Sequence, residues 1–388
     1  MVSVSGAALT PFCKSKDGSA FRDWAGSAFK QALAISTLDR CDIDMLVLAS
    51  ESDFFTLQLN PVSVIADDLG LAGCSTLRVE GGGASGQLAV HAGVRAILSG
   101  TARHVAVIGV DPSASQLSAS AVKALYSFSF DAWSEGFAGV SATTLYALSV
   151  QGFMERLQLS KSHLAAVTIQ NRENACANPN AHLGRRHTVQ EIDDCTLIAA
   201  PYRRLHCSPL SDGAAAIILS KSGALPATRK TAPVILGIGA SSDRVHLGAR
   251  PEPDRFTAKS TAMKRACKSA GIEPKDIGFA EVYDAYAGAQ LQAIEALGLS
   301  ENIGQDLDAG EFGPTGRCPI NLSGGLMGQG APAGAIGVAQ TANCALFLEG
   351  RNQSGLQPAN PPRYALADTH GGICTIAAVT VLAQADAL

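Results

Sequence analysis

Short apolar segments alternate with longer stretches of small or amphipathic composition in the first hundred residues. Four segments are short, rich in β-branched residues and bounded by turn residues, which predicts strands over Val2–Ala8, Met45–Ser50, Leu77–Val79 and Val105–Val110. Two longer segments between them predict helices over Phe21–Ser36 and Ser85–Leu98. The second helix should be buried on several sides because nearly all of its residues are small or apolar. This alternation predicts a mostly parallel sheet covered by helices.

The second half of the chain repeats the same plan. Its predicted strands are Ala232–Ala240, Ile277–Val282, Tyr364–Ala367 and Thr375–Leu382. The segment GGGASGQLAVHAGVRAILSG, which ends at Gly100, resembles GAPAGAIGVAQTANCALFLEG, which ends at Gly350. Each has a glycine-rich turn, a small-residue helix and a terminal glycine at the C′ position. We therefore expect two similar α/β halves, residues 1–225 and 226–388, with a mostly helical insertion over about residues 111–204 of the first half.

The amino-acid composition favours some functional classes and argues against others. The chain has 388 residues, of which 47% are hydrophobic and 16% charged, and it has 39 glycines, which favours a tightly packed α/β enzyme. A formal charge of −4 and scattered lysines and arginines argue against a nucleic-acid partner. No apolar stretch approaches a membrane span, and the N-terminus does not read as a signal peptide. The ten cysteines form no CxxC pair, so we expect no metal site, no disulfide framework and a cytoplasmic location.

A series of motifs then occurs in a characteristic order along the whole chain. They are Thr10-Pro11-Phe12, Asn174–Ala181, Ser208-Pro209 with Ser211–Ala216, Glu281–Tyr286, Asn321–Gly325 and Gly330–Gly337. In this order and spacing, the chain resembles the thiolase superfamily, and within it the sterol-carrier-protein-type thiolases. The Ser211–Ala216 segment (SDGAAA) is the most specific of these matches.

The resemblance implies the fold and the class of substrate. It predicts two similar βαβαβαββ halves in a five-layer αβαβα arrangement, with Ser85–Leu98 and Ala335–Leu348 as buried central helices. It also implies an acyl-CoA substrate, so that coenzyme A enters as part of the substrate and no cofactor is bound. Homodimers that pair through an edge strand of the first half are implied as well, and we assign that strand to Val105–Val110.

The residues that a working thiolase needs are missing at the matching positions. Gly83 stands where the family has its nucleophilic cysteine, at the start of the first-half central helix. Such a cysteine is activated by the amides and the dipole of the helix N-terminus. Tyr283 and Ala331 replace two family histidines, and the second family cysteine would fall near Thr369. Covalent acyl transfer by the family's usual route is therefore not expected.

Five residues are our candidates for the remaining chemistry. The backbone amides of Gly83 and Gly372 can still form an oxyanion hole, because glycine keeps its N–H group. Tyr283 can donate to an alkoxide or, with a lowered pKa, act as a base. His370, in a glycine-flanked loop expected at the rim of the site, is the alternative proton-handling group. Asp284 should cap or orient the turn, and the absent cysteine side chain should leave room for a branched substrate.

Other residues are candidates for coenzyme A binding, or for a nucleophile at a position other than residue 83. Arg203 and Arg204 are candidates for the coenzyme A phosphates, and Ser323 for the border of the binding pocket. Cys374 or Ser85 would have to be the nucleophile if the protein were a conventional acyltransferase. Ser85 has the competing interpretation of a helix-start residue.

These features predict retro-aldol cleavage of a β-hydroxyacyl-CoA, a carbon–carbon lyase reaction that needs an oxyanion hole and a proton-handling group but no nucleophile. The pattern is similar to the cysteine-less thiolase-like aldolases that remove steroid side chains. That similarity implies a small zinc-ribbon/OB-fold partner protein. Two alternatives stay open at this point: an acyltransferase with a displaced nucleophile, and a non-catalytic subunit that binds acyl-CoA or lipid.

Overall fold

The computed structural model describes residues 1–385, which form eleven β-strands and thirteen α-helices. The strands are β1 (Val2–Leu9), β2 (Met45–Ala49), β3 (Ser75–Val79), β4 (His104–Pro112), β5 (Leu197–Ala199), β6 (Tyr202–Arg203), β7 (Asp212–Lys221), β8 (Val234–Ser242), β9 (Phe279–Glu281), β10 (Tyr364–Gly371) and β11 (Ile376–Ala383). The helices are α1 (Phe21–Ser36), α2 (Asp53–Thr56), α3 (Pro61–Asp68), α4 (Ser85–Leu98), α5 (Ala119–Tyr126), α6 (Ala142–Arg156), α7 (Lys161–Cys176), α8 (Val189–Asp194), α9 (Thr257–Ala270), α10 (Ala287–Ala296), α11 (Ile303–Asp308), α12 (Gly325–Gly328) and α13 (Ala333–Leu348). None of these helices is both long and apolar enough to cross a membrane.

Nine strands form one mixed sheet in the order β3-β2-β4-β7-β1-β8-β11-β10-β9. The order β2-β4-β7-β1 of the first half is repeated as β9-β10-β11-β8 in the second. In each set of four, the first two strands are parallel and the remaining neighbours are antiparallel. The two half-sheets meet through a short pairing of Val2 and Ser3 with Ile235 and Val234. The internal repeat is therefore present in the strand order, whereas the boundary at residues 225 and 226 stays a prediction.

The half-sheets and helices form five layers. Helices α4 and α13 lie between the two half-sheets, in an apolar core that takes side chains from both. Helices α1 and α3 cover the outer face of the first half-sheet, and α9 and α10 cover that of the second. The predicted αβαβα arrangement is confirmed, with both predicted central helices in the middle layer. Helix α13 begins at Ala333, two residues before the predicted start.

The region between β4 and β7 holds helices α5 to α8 and the small β5–β6 hairpin, so it is mostly helical as expected. Apolar side chains of α6 and α7 pack against α9 and α10 on the second half of the molecule. The inserted region belongs to the first half of the chain but packs on the second half-sheet. Its helices form one wall of the cavity described below.

The assignment of the dimer edge strand to Val105–Val110 is wrong. These residues belong to β4, which lies inside the sheet between β2 and β7, and all of them are buried. The free edge of the first half-sheet is β3. The apolar pattern of β4 reflects burial on both faces of the sheet, which is typical of an interior strand.

The central helices approach each other through glycines. A Cβ atom added at Gly86 would lie 2.6 Å from the nitrogen and 2.7 Å from the Cα of Gly337, distances that side chains do not adopt. Beside this contact, the buried Gln87 side chain donates to the Gly337 carbonyl at 3.0 Å and to the Thr341 hydroxyl at 2.9 Å. The two halves of the fold are therefore locked together by backbone contact as well as by apolar packing.

We predict that Gly86→Ala destabilises the protein, because neither helix backbone can move without displacing a half-sheet. Overpacking of this kind typically costs about 1–3 kcal/mol. The matched control is Gly26→Ala in α1, where an added Cβ meets only one atom, at 3.9 Å. There the better helix propensity of alanine should stabilise by roughly 0.5–1 kcal/mol. Urea unfolding of both variants tests this, and equal stabilities would contradict the close contact.

Candidate active site

A cavity of about 930 Å³ opens between the inserted helices α5 and α6 and the middle of the molecule. This volume is within the range of cavities that enclose small organic ligands. Three of the five predicted catalytic residues line it, namely Gly83, Tyr283 and Gly372. Of the described residues that line the cavity, only Glu51 and Lys123 are acidic or basic. The walls are otherwise apolar or carry hydroxyl groups.

The turn before α4 forms part of the cavity floor. Gly82 has a φ of 57°, in the left-handed region that favours glycine. The Ser85 hydroxyl accepts from the Gly81 amide at 2.9 Å and donates to the Gly82 carbonyl at 2.6 Å. Ser85 is fully buried and is held by the turn that it closes, so it is the helix-start residue rather than an available nucleophile.

The space beside Gly83 is filled by Tyr283. A Cβ atom at Gly83 would lie 2.4 Å from the Tyr283 hydroxyl oxygen and 2.5 Å from the His370 carbonyl oxygen. The expectation that the absent side chain leaves open room for a branched substrate is therefore wrong. The two replacements form one unit, because a phenol at position 283 reaches the place that a side chain at position 83 would need.

Tyr283 is half-buried and its hydroxyl has no hydrogen-bond partner among residues 1–385. Burial raises the pKa of Tyr283 above its usual value, and the nearby Glu51 raises it further. The phenol is thus protonated at neutral pH, which suits a hydrogen-bond donor or an acid and disfavours a base.

His370 lies behind Tyr283 rather than at a loop rim. It belongs to strand β10, where it pairs with Ala377 of β11, and it is fully buried. Its ring packs on Tyr283 with centroids 4.4 Å apart, and its Nε2 lies 2.7 Å from the Tyr146 hydroxyl. Burial lowers the pKa of His370, and the charges of Lys259 and Arg250 lower it further. The imidazole is therefore neutral, and it contacts both Tyr283 and Tyr146.

The two proposed oxyanion-hole glycines come close together in space. A Cβ atom on Gly82 would lie 3.9 Å from the Gly372 nitrogen, so the turn before α4 touches the turn after β10. Neither the Gly83 nor the Gly372 amide donates a backbone hydrogen bond to another described residue. Both glycines line the cavity and neither N–H group has an acceptor among the described residues, which fits the oxyanion hole expected from the sequence.

Asp284 does not line the cavity. Its carboxylate accepts from the amides of Leu326 at 2.6 Å and Met327 at 3.2 Å, at the start of α12. It also accepts from the Asn171 amide group at 2.7 Å. Burial raises the pKa of Asp284 to about 6, although these three hydrogen bonds lower it. Asp284 therefore ties the residue after Tyr283 to the start of α12.

The three residues predicted for binding do not line this cavity, namely Arg203 and Arg204 for the coenzyme A phosphates and Ser323 for the border of the pocket. The Arg203 guanidinium donates to the Cys195 carbonyl at 2.7 Å, and Arg204 is exposed outside the cavity lining. Ser323 donates to the buried Glu281 carboxylate and borders a separate cavity of about 150 Å³. Lys123, exposed on α5 at the larger cavity, is the cationic side chain that the structure does place there.

Cys374, the other alternative nucleophile, is fully buried and does not line the cavity. Burial raises the pKa of Cys374 to about 12, so the thiolate is scarce at neutral pH. Among the described residues, no cluster of three or more His, Cys, Asp or Glu side chains could hold a metal ion.

Three residues of the site were missed from the sequence. Tyr126 and Tyr146 come from the inserted helices, which no motif marks. Glu51 follows the carboxyl end of strand β2, and ligands in α/β proteins gather beyond the carboxyl ends of parallel strands. That rule could have singled out Glu51. No comparable signal identifies the two tyrosines.

Comparison with known proteins agrees with this architecture. Residues 239–384 match the family model described as "Thiolase C-terminal domain-like". The acetyl-CoA acetyltransferase of Methanothermobacter thermautotrophicus is 32% identical over 99% of both chains. Sterol carrier protein 2 of Oryctolagus cuniculus is 29% identical over 54% of this chain and 40% of its own length. The 17-hydroxy-3-oxo-4-pregnene-20-carboxyl-CoA lyase of Mycobacterium tuberculosis is 25% identical, covering 87% of this chain and 89% of that protein.

Among solved structures, the Ltp2-ChsH2(DUF35) aldolase superposes with a TM-score of 0.84 and 22% identity, covering 99% of this chain and 98% of that one. This likeness concerns the fold. Together with the sequence matches over nearly the whole chain, it confirms the resemblance inferred from the motifs. The chain belongs to the thiolase superfamily, as a thiolase-like protein of the sterol-carrier-protein type.

Proposed function

We propose that this protein cleaves the Cα–Cβ bond of a β-hydroxyacyl-CoA by a retro-aldol reaction. The thioester oxygen would accept from the Gly83 and Gly372 amides, which stabilise the enolate as it forms. The Tyr283 hydroxyl would donate a hydrogen bond or a proton at the reacting centre. A bulky substrate, such as a steroid side-chain thioester, suits the size of the cavity.

The observation that carries this proposal is the pairing of Gly83 with the Tyr283 hydroxyl. The position of the family nucleophile holds no side chain, and a neutral phenol reaches the same point from the opposite side of the cavity floor. An acid therefore stands where a nucleophile would be needed for acyl transfer. The lyase among the relatives and the aldolase among the structural neighbours support the same reaction class.

The two alternatives are less well supported. Acyl transfer needs a reactive nucleophile, but Cys374 and Ser85 are buried away from the cavity lining. The support for acyl transfer is that one relative is named acetyl-CoA acetyltransferase. A non-catalytic binding subunit would not need Tyr283 to face the cavity with a free hydroxyl. We therefore rank both below cleavage.

The direct test is incubation of the purified protein with a panel of β-hydroxyacyl-CoAs, scored for release of an aldehyde or ketone. Each assay is run with and without a co-expressed small zinc-ribbon/OB-fold protein, which we propose as the partner. Acetoacetyl-CoA with free CoA should give neither turnover nor a covalent adduct by intact mass. Thiolysis in that control, or an acyl group on Cys374, would overturn the lyase assignment.

We predict that Tyr283→Phe lowers the cleavage rate about 10²–10⁴-fold, the usual contribution of a general acid–base group, with little change in substrate binding. The matched control is Tyr286→Phe, because Tyr286 lines the same cavity but its hydroxyl is 2.8 Å from the Thr143 hydroxyl. Steady-state kinetics should show a much smaller loss for the control. Equal rates for wild type and Tyr283→Phe would make Tyr283 structural.

We also predict that Gly83→Ala is destabilising and that part of this cost depends on the Tyr283 hydroxyl. The added methyl group would collide with the hydroxyl, so the double variant Gly83→Ala/Tyr283→Phe should lose less stability than the two single changes together. Coupling between contacting residues is typically about 0.5–3 kcal/mol. Urea unfolding of the four proteins measures it, and strictly additive changes would show that the hydroxyl does not occupy this space.

We further propose a homodimer that forms through the free edge of β3. Leu77 on this strand is 39% exposed and Phe54 on α2 is 62% exposed, while Arg78 and Asp53 form an ion pair between the two elements. Light scattering at micromolar concentration should give a dimer for the wild type. Leu77→Lys should give a monomer, because a charge on an edge strand opposes pairing. A monomeric wild type would contradict this proposal.

A further inference from the structure

Retro-aldol cleavage needs a base as well as a donor. The β-hydroxyl proton must leave before the Cα–Cβ bond breaks, and the enolate carbon must be protonated afterwards. Tyr283 is protonated at rest because its pKa is raised, so it cannot accept the first proton. His370 is buried behind it, with Nε2 engaged by Tyr146. Neither of the proton-handling residues expected from the sequence suits the role of base.

Glu51 is the acidic side chain that the described structure places in the cavity lining. Its backbone amide donates to the buried Asp111 carboxylate at 2.9 Å, which fixes the chain just beyond β2. Its Oε2 accepts from the Tyr126 hydroxyl at 3.2 Å. Its Oε1 lies 3.8 Å from where a Cβ on Gly82 would be, beside the turn that carries the Gly83 amide.

We propose that Glu51 is the proton-transfer residue of this cavity, with Tyr126 holding its carboxylate in place. This inference rests on the proposed lyase function and assigns its base. Glu51 would touch the reacting hydroxyl and is therefore proposed as a catalytic residue, whereas Tyr126 is a positioning residue.

The step balances without any co-reactant. The Glu51 carboxylate takes the β-hydroxyl proton, and the O–H electron pair becomes the second bond of the new carbonyl. The Cα–Cβ bond breaks, and its electrons form the thioester enolate on the two glycine amides. The carboxyl group then returns the proton to Cα, so that one β-hydroxyacyl-CoA gives one acyl-CoA and one ketone or aldehyde, and Glu51 is again ionised.

The surroundings of Glu51 set its protonation. Burial raises the pKa of Glu51 to about 8, and the charges of Asp111 on β4 and Glu80 after β3 also raise it. The Tyr126 hydroxyl on α5 lowers it by hydrogen bonding to the carboxylate. The remaining neighbours are the neutral phenol of Tyr283 and, near Asp111, the Arg78 guanidinium, which pairs with Asp53.

The pH dependence follows from these neighbours. A base must be deprotonated, so cleavage should rise with pH and level off above about 8, the pKa of Glu51. A carboxylate with an ordinary pKa near 4 would leave the rate flat across this range. We call this rise of the cleavage rate with pH the pH limb. A glutamate with a purely structural role would not set the pH at which the limb occurs.

The experiment compares wild type, Glu51→Gln and Tyr126→Phe in the carbonyl-release assay from pH 6 to pH 9.5, with the partner protein present. Glu51→Gln should lower the rate about 10²–10⁴-fold and remove the limb. Tyr126→Phe should keep much of the activity and move the limb to higher pH, because the hydrogen bond that lowers the pKa is lost. Glu301→Gln, at an exposed glutamate, is the matched control and should change neither rate nor profile.

A second assay follows, by mass, the exchange of the α-hydrogens of a simple acyl-CoA in D₂O. This assay distinguishes failure of the Glu51 assignment from failure of the lyase proposal. Exchange needs the base and the oxyanion hole but no bond cleavage. If the wild type cleaves substrates and Glu51→Gln keeps the same rate and pH limb, only the role of Glu51 is overturned. Exchange that depends on Glu51, without cleavage of any substrate, overturns the lyase proposal and keeps the base.

Wild type without exchange and without cleavage overturns both. If Glu51→Gln does not fold, the Tyr126→Phe profile decides, because an unmoved limb contradicts the assignment.

Discussion

The candidate site exists because two backbones touch at the middle of the molecule. Gly86 and Gly337 allow α4 and α13 to pack without intervening side chains, which presses the turn before α4 toward the second half-sheet. A Cβ on Gly371 would lie only 2.3 Å from the Gly81 carbonyl oxygen, so this turn also meets the end of β10 in backbone contact. The two amides proposed for the oxyanion hole come from opposite halves of the fold, and this close packing brings them together.

The same crowding explains why the replacements at positions 83 and 283 belong together. With a glycine at 83, a phenol can extend across the cavity floor; with a larger residue there, it cannot. The packing of Tyr283 against His370 then holds the ring in place, and the neutral imidazole adds no charge that would ionise the phenol. Tyr283 therefore stays a protonated donor at the place where a side chain of residue 83 would lie.

The inserted helices supply the rest of the cavity's character. They bring the Tyr126 hydroxyl to the Glu51 carboxylate, at 3.2 Å, and the Tyr146 hydroxyl to the His370 imidazole, at 2.7 Å. Burial in these surroundings disfavours charged forms, so it raises the pKa of the Glu51 carboxyl and of the Tyr126 and Tyr146 phenols alike. The pKa of Glu51 is thereby raised to about 8, close to neutral pH, where a carboxyl group can transfer protons efficiently.

The sequence by itself determined the helices α1 and α4 to the residue, most of the sheet strands to within two or three residues, and the repeated plan of the two halves. The resemblance to the thiolase superfamily implied that Gly83, Tyr283 and Gly372 belong to one site, and all three line the cavity. Local periodicity carries the information on helices and strands, since each element buries one face or two. It did not distinguish an interior position of β4 from an edge position buried in a dimer interface, since both bury the strand and give an apolar run.

Only the tertiary structure decided which side chains share the cavity and in what protonation state. Glu51 and Tyr126 are 75 residues apart, and Tyr146 and His370 are 224 residues apart, so no local pattern links them. Whether the space at Gly83 is open or filled depends on the reach of a ring from another half of the fold. A pKa likewise depends on burial and on charges that lie near in space but far along the chain, and these exist only once the chain is packed.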